Sequence, residues 1–339
     1  MRILSSSIAR FGLALLVVGL LFPGITAAQS TPEAASGEPV PLRLAVSSWV
    51  GYGPLWLAEE RGFFDEEGVA VDLTLVEVSA DRITAMQADR LDASATTIDT
   101  WALFAAQGAD LVQVLAVDES AGGDGIVAKQ EIASIADLAG KTIAVQSAST
   151  SQFLLANALN EAGLSLDDVT LLDMSSGDAG AAFVAGQVDA AVTWQPWLAN
   201  ARETDFGHLL LDTKETPGLI VDTVAFRPQF VDENPEAVAA FVRGYYRAVE
   251  EVEANPDEAN AIMAESIGME TEEFVATLAD LRIWGAEENE AYFGTAEQPG
   301  PINDLVEQAG QFYEGIGVTD NVPAPQTIVD PRFVDGAAG

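Results

Sequence analysis

Hydroxyls, indole rings and carboxylates gather in a few short stretches of this chain. Ser48, Trp49 and Tyr52 fall in a glycine-rich turn between an apolar run, Leu42–Ser47, and Pro54, which suits the first turn of a helix. Thr97 and Asp99 follow a second apolar run, Leu91–Thr96. Ser149 and Thr150 precede a helical pattern over Ser151–Ala162, and Trp194 and Gln195 close the run Ala190–Trp194. Asp118 opens the glycine-rich DESAGGDG stretch, and Asp222 ends TPGLIVD. Hydroxyls and free N–H groups at helix starts suit an oxyanion. Tryptophans beside carboxylates suit an amine or a heteroaromatic ring. No lysine or arginine falls in these loops, so a zwitterion or an amine-bearing ring fits better than a bare anion such as nitrate. The chain has no cysteine, a single histidine and no Walker-type phosphate loop. That composition supports binding rather than catalysis and calls for no cofactor or metal.

Each candidate also has a structural use. Trp49, Tyr52 and Trp194 are read as ring walls of a cleft rather than as turn packing. Ser48, Thr97, Ser149 and Thr150 serve equally well as helix caps or ligand contacts. Asp99 caps the helix at Thr100 or faces ligand. Asp118 and Asp222 fix a hinge or hold an amine. His208 lies away from these motifs and is read as structural.

The elements that position these residues occur twice. AVSS (Ala45–Ser48) and AVQS (Ala144–Ser147) each end an apolar strand and lead through a small-residue turn into an amphipathic helix closed by a glycine. RLDASATTIDTW (Arg90–Trp101) and QVDAAVTWQPW (Gln187–Trp197) form a second pair, each with an Asp-Ala step before a short strand. Two pairs in the same order indicate two α/β lobes offering strand-end loops to a shared site. Lobe one is expected over 42–121 plus 222–339 and lobe two over 122–221, joined by two crossing segments. Phe63–Gly68 reads as a turn, Asp178 as the cap of a helix to Ala185, and Thr271 as a weak cap. Asn234-Pro235 and Asn255-Pro256 each start a helix, and the Pro-rich tail from Val318 drapes over the surface.

Residues 1–28 read as a signal peptide. Arg2 and Arg10 precede the apolar run Phe11–Phe22, and cleavage is expected after Ala28. Residues 29–41 read as a disordered lead-in. The absence of cysteine leaves no site for a lipid anchor, so a free periplasmic protein is expected. The formal charge is −38, about −40 once the two leader arginines are gone. Such a surface repels nucleic acid and anionic membranes, and adaptation to high salt, where repulsion is screened, accounts for it.

WVGYGPLWLAEERGFFDEEGVAVDL (Trp49–Leu73) resembles the opening signature of periplasmic substrate-binding proteins of ABC importers in the nitrate/sulfonate/taurine family. AVTWQPW (Ala191–Trp197) resembles that family's second signature; ADLAGKTIAV (Ala136–Val145) and Asn234–Ala259 also fit. The resemblance implies the two-lobe periplasmic-binding-protein fold (type II) with the ligand cleft between the lobes. It implies a monomer that closes on a small organic molecule, a sulfonate- or taurine-like zwitterion or an amine, and delivers it to an ABC permease in the cytoplasmic membrane. A thiamine-precursor pyrimidine binder and a sensing module docked on a membrane receptor are the alternatives. Gln195 stands where the second signature often carries a glutamate.

Overall fold

The computed structural model describes residues 38–334; the leader and residues 29–37 of the lead-in lie outside them. Among the described residues, eleven strands form two sheets. The first contains β1 (Val40–Val46), β2 (Val69–Leu75), β3 (Ala93–Thr97), β4 (Val112–Ser120), β10 (Val221–Phe226) and β11 (Leu281–Ile283), in the order β11-β4-β10-β3-β1-β2. The second contains β5 (Asp124–Lys129), β6 (Thr142–Val145), β7 (Thr170–Asp173), β8 (Ala190–Trp194) and β9 (Gly207–Asp212), in the order β7-β6-β8-β5-β9. The chain crosses between sheets over 121–123 and returns over 213–220. Two α/β lobes joined by two crossing segments is the type II periplasmic-binding-protein plan.

The duplication read from the sequence is a duplication of pairing. β1 runs parallel to β2 and β3, as β6 does to β7 and β8. In each sheet the inner antiparallel strand, β10 or β5, is the one that has just crossed from the other lobe. The repeated Asp-Ala step has a mechanical cause. The Asp92 backbone N–H donates to the Arg43 carbonyl at 2.9 Å, and its carboxylate accepts from the Arg43 N–H at 3.1 Å. Asp189 makes the same two bonds with Thr142, at 2.9 and 3.1 Å. Each aspartate thus fixes where its inner strand begins beside the first strand.

Burial explains the strand composition. β3 is ASATT with every residue buried, because helices cover both faces of a central strand and its flat profile lets them pack. Four apolar clusters, two on each sheet, hold the helices down. α1 (Gly53–Glu60), α8 (Pro228–Glu233), α9 (Pro235–Ala254) and α10 (Pro256–Ile267) all carry proline in their first turn, where no N–H is needed. α9 buries Val238, Phe241, Val242, Tyr245 and Val249 against lobe one.

Several local expectations are corrected. Phe63–Glu67 is a short helix, α2, bracketed by left-handed Gly62 and Gly68 rather than an open turn, because Phe64 is pulled under α9. α6 (Ser176–Val184) is capped by Ser175, whose Oγ accepts from the Asp178 N–H; Asp178 lies one turn inside. α11 (Thr271–Leu278) starts at Glu270 without a side-chain cap, so Thr271 does not cap it. β11 and α12 (Ala286–Phe293) follow α11. β1 begins at Val40, inside the expected lead-in, because it pairs with Val69. The tail does not stay on the surface: Val329 bridges Gln113 of β4 and, with Ile328, is buried.

Candidate functional site

A cavity of about 110 Å³ lies between the two sheets, at the ends of β3 and β8 where the strand-end loops meet. Lobe one lines it with Trp49, Tyr52, Arg82, Thr97, Thr100 and Asp222, and lobe two with Asp124, Ser149, Thr150, Ser151, Ser176 and Trp194. Such a volume suits a ligand of a few heavy atoms, and convergent polar groups with aromatic walls are what orient one.

The lobe-one wall starts at the turn after β1. Gly51 has no side chain there because a Cβ would strike the Asp118 carboxylate and the Trp49 indole nitrogen. That clearance lets Trp49 Nε1–H donate to both Asp118 oxygens at 3.2 Å. Tyr52 O–H donates to Asp222. Asp118 and Asp222 are cross-strand partners on β4 and β10. Burial, with the neighbouring carboxylate, pushes Asp118 well above the ordinary range, and burial raises Asp222 to about 7.

Arg82 is the unexpected member. It lies on α3 (Ser79–Gln87), is 3% exposed and borders the cavity. Its guanidinium donates to the Val76, Glu77 and Ala95 carbonyls and to Ser94 Oγ, so it is held by neutral acceptors. Burial lowers its pKa from the ordinary value, with Tyr52 and Asp222 acting against that shift. The site loops carry no lysine or arginine, but a cation reaches the cavity from a helix. The signal was an arginine on the apolar stripe of α3, beside Ile83 and Met86.

The lobe-two wall starts at the matching turn after β6. Ala148 has φ of 49°, a left-handed conformation that an alanine adopts at a cost, and its N–H donates to Gln152 Oε1 at 2.7 Å. The turn presents Ser149, Thr150 and Ser151 at the start of α5 (Thr150–Glu161), whose unpaired N–H groups carry partial positive charge. Thr150 Oγ1 meets Thr97 Oγ1 of lobe one at 2.6 Å and donates to Asp99 at 3.3 Å. Asp124, at the start of β5, is raised to about 7 by burial. Trp194 packs edge-on against Trp49 across the cleft, with ring centroids 5.6 Å apart.

Of the residues singled out from sequence, Trp49, Tyr52, Thr97, Ser149, Thr150, Trp194 and Asp222 line the cavity. Ser48, Asp99, Asp118 and Gln195 stand off its wall. The Ser48 N–H turns toward Glu77. Asp99 is buried behind Thr150 and accepts from Tyr313 O–H at 3.0 Å. Asp118 sits behind Trp49. Gln195 is fully engaged: its Oε1 caps α7 (Trp197–Arg202) through the Ala199 N–H at 3.0 Å, and its Nε2 donates to Asp280 at 3.0 Å. A glutamate there would meet Asp280 with no proton to donate, which gives the departure from the family signature a local cause. His208 bonds the Ile132 carbonyl, a structural contact. Arg82, Thr100, Asp124, Ser151 and Ser176 were not anticipated. Asp124 falls inside the glycine-rich run read as a crossing, and Ser151 and Ser176 are helix-start hydroxyls like those chosen.

The chain matches the family described as NMT1/THI5 like over residues 49–259, more than half its length. It is 26% identical over 289 residues to the taurine-binding periplasmic protein of Escherichia coli, covering 81% of this chain and 87% of that protein. Its fold is similar to the crystal structure of the periplasmic aliphatic sulphonate binding protein SsuA of Escherichia coli (TM-score 0.73, 20% identity, 87% and 93% of the two chains). The desulfurization enzyme DSZB shares the fold (TM-score 0.63, 17% identity, 88% and 98% of the two chains), so the scaffold by itself does not separate binding from catalysis. The match over residues 49–259 shows that this chain belongs to the NMT1/THI5-like family.

Proposed function

We propose that this protein is an exported, periplasmic solute-binding protein that captures a small zwitterion, an amino sulfonate or a close analogue, and hands it to an ABC permease. One observation carries the reading: the cavity at the strand ends between the lobes is walled by a buried guanidinium held by neutral acceptors and by two buried carboxylates, Asp124 and Asp222. The anionic end belongs with Arg82 and the hydroxyls and N–H groups at the start of α5; the ammonium belongs with Asp124, Asp222 and the Trp49 and Trp194 rings. The taurine-binding and sulphonate-binding relatives support the same ligand class. The lobes hinge at 121–123 and 213–220, and the protein acts as a monomer without a cofactor. The charge of −38 is read as adaptation to high salt, so its melting temperature rises with added sodium chloride.

A thermal-shift panel of the chain without its leader, in high salt, tests the reading. The panel holds nitrate, bicarbonate, taurine, alkanesulfonates, pyrimidines and small amines. A ligand at one hundred times its dissociation constant adds about 2.7 kcal/mol of stability. Stabilisation by taurine or another amino sulfonate supports the reading; stabilisation by nitrate with none from organic amines contradicts it.

A further inference from the structure

One side chain of α5 does not belong to its own lobe's core. Leu154, Leu155, Ala158 and Leu159 pack into the lobe-two cluster with β6 and β8. Phe153, 0% exposed, packs instead into a lobe-one cluster with Ile98, Trp101 and Ala309. Its ring meets Phe312 and Tyr313 of α13 (Ile302–Gly315), with centroids 5.2 and 6.5 Å away. Polar contacts flank this seat. Tyr313 O–H donates to Asp99, which also accepts from Thr150, and Gln308 of α13 donates to Asn157 of α5 at 3.2 Å. Phe153 does not line the cavity, yet it lies on the first turn of the helix whose opening residues do.

We infer that Phe153 is a positioning residue: seated against α13, it holds the N-terminus of α5 over the cavity and keeps the lobes closed even without ligand. Separating the lobes would expose a whole phenyl ring together with the faces of Phe312 and Tyr313, so apolar burial favours the closed arrangement. A ligand that binds only the closed arrangement has its apparent affinity scaled by the closed fraction. A tenfold loss of that fraction therefore costs tenfold in affinity with no ligand contact altered. The inference rests on the hinge closure proposed above and is independent of which ligand is bound.

The test measures distance between lobes without ligand. The chain has no native cysteine, so spin labels placed through Thr84→Cys on α3 and Ala181→Cys on α6, both exposed, report the cleft alone. The double electron–electron resonance distribution is compared among the labelled chain, Phe153→Ala and Phe312→Ala. Both substitutions are expected to move the population to longer distances, because they remove opposite sides of one contact. Unchanged distributions in both would overturn the inference. So would a shift confined to Phe153→Ala, which would mark Phe153 as a packing residue of α5. Should Phe153→Ala fail to fold, Phe312→Ala, at a partly buried position of α13, decides alone.

Discussion

The two strand–turn–helix units facing the cleft have one backbone plan and different chemistry. After β1 the turn offers Trp49 and Tyr52, whose polar atoms are already committed to Asp118 and Asp222. After β6 the turn offers Ser149, Thr150 and Ser151 at the head of a twelve-residue helix, with hydroxyls and N–H groups in place of rings. The supporting aspartates differ in the same way. Asp92, 4% exposed, holds the guanidiniums of Arg43 and Arg227 at 2.7 Å as well as the strand start. Asp189 holds the equivalent strand start and a single lysine, Lys129, with a third of its side chain exposed. The two units share a geometry, and the different residues of their turns make their contributions to the cleft chemically distinct.

The largest test of that difference is Asp92→Ala. It leaves two arginines and a backbone N–H without their acceptor, and urea denaturation is expected to show a loss of about 3 kcal/mol or more. Asp189→Ala, the equivalent change in lobe two, should cost only about 1 kcal/mol. Equal losses would mean that the aspartates serve only to start the strands.

At the site, Trp49→Ala and Trp194→Ala are each expected to weaken ligand binding by about 1–3 kcal/mol by calorimetric titration, through lost ring contact. Unchanged affinity in both would move the ligand elsewhere.

Acidity is shared by the two walls, one buried carboxylate on each. Asp124 and Asp222 are raised to about 7 in the folded protein, above the ordinary carboxylate value. The folded state therefore holds protons that the unfolded chain has released, so these groups reduce stability as pH rises from about 4 to about 7, and the loss levels off above that. An ammonium favours their ionised form, so taurine should bind more tightly at pH 8 than at pH 5. The change is up to about tenfold per pH unit below 7 for each carboxylate that must ionise. A flat profile, measured by titration across that range, would remove the carboxylates from ligand recognition.

The smallest expected effect is at Ser175. Ser175→Ala removes the cap of α6 and should lower stability by about 1 kcal/mol, whereas Asp178→Ala should cost less if the capping is as observed. Thermal melts of the two variants check the order.

What was legible in the sequence follows from how each feature is encoded. The paired strands and turns show because alternation and glycine punctuation are local, and the repeated Asp-Ala step shows because it performs the same task twice. The ring walls show because two tryptophans and a tyrosine sit at strand ends. Arg82 was hidden because its four acceptors come from elsewhere, two loop carbonyls and two groups of β3. Gln195 looked like a ligand contact because its partner, Asp280, lies 85 residues away on the other lobe. β11 was illegible because three residues carry no periodicity; it exists only by pairing with Ser120, Glu119 and Asp118 of β4. Phe153 fits the apolar pattern of α5, and only the assembled lobes show that it belongs to the other core.

The central claim is a cavity with one end for an anion and another for an ammonium, each built from both lobes. Calorimetric titration of taurine against ethanesulfonate, which has the sulfonate without the amine, and ethylamine, which has the amine without the sulfonate, tests it most directly. The account predicts that taurine binds more tightly than either, by about 2 kcal/mol or about thirtyfold for each missing charged contact. Ethanesulfonate binding as tightly as taurine would contradict it.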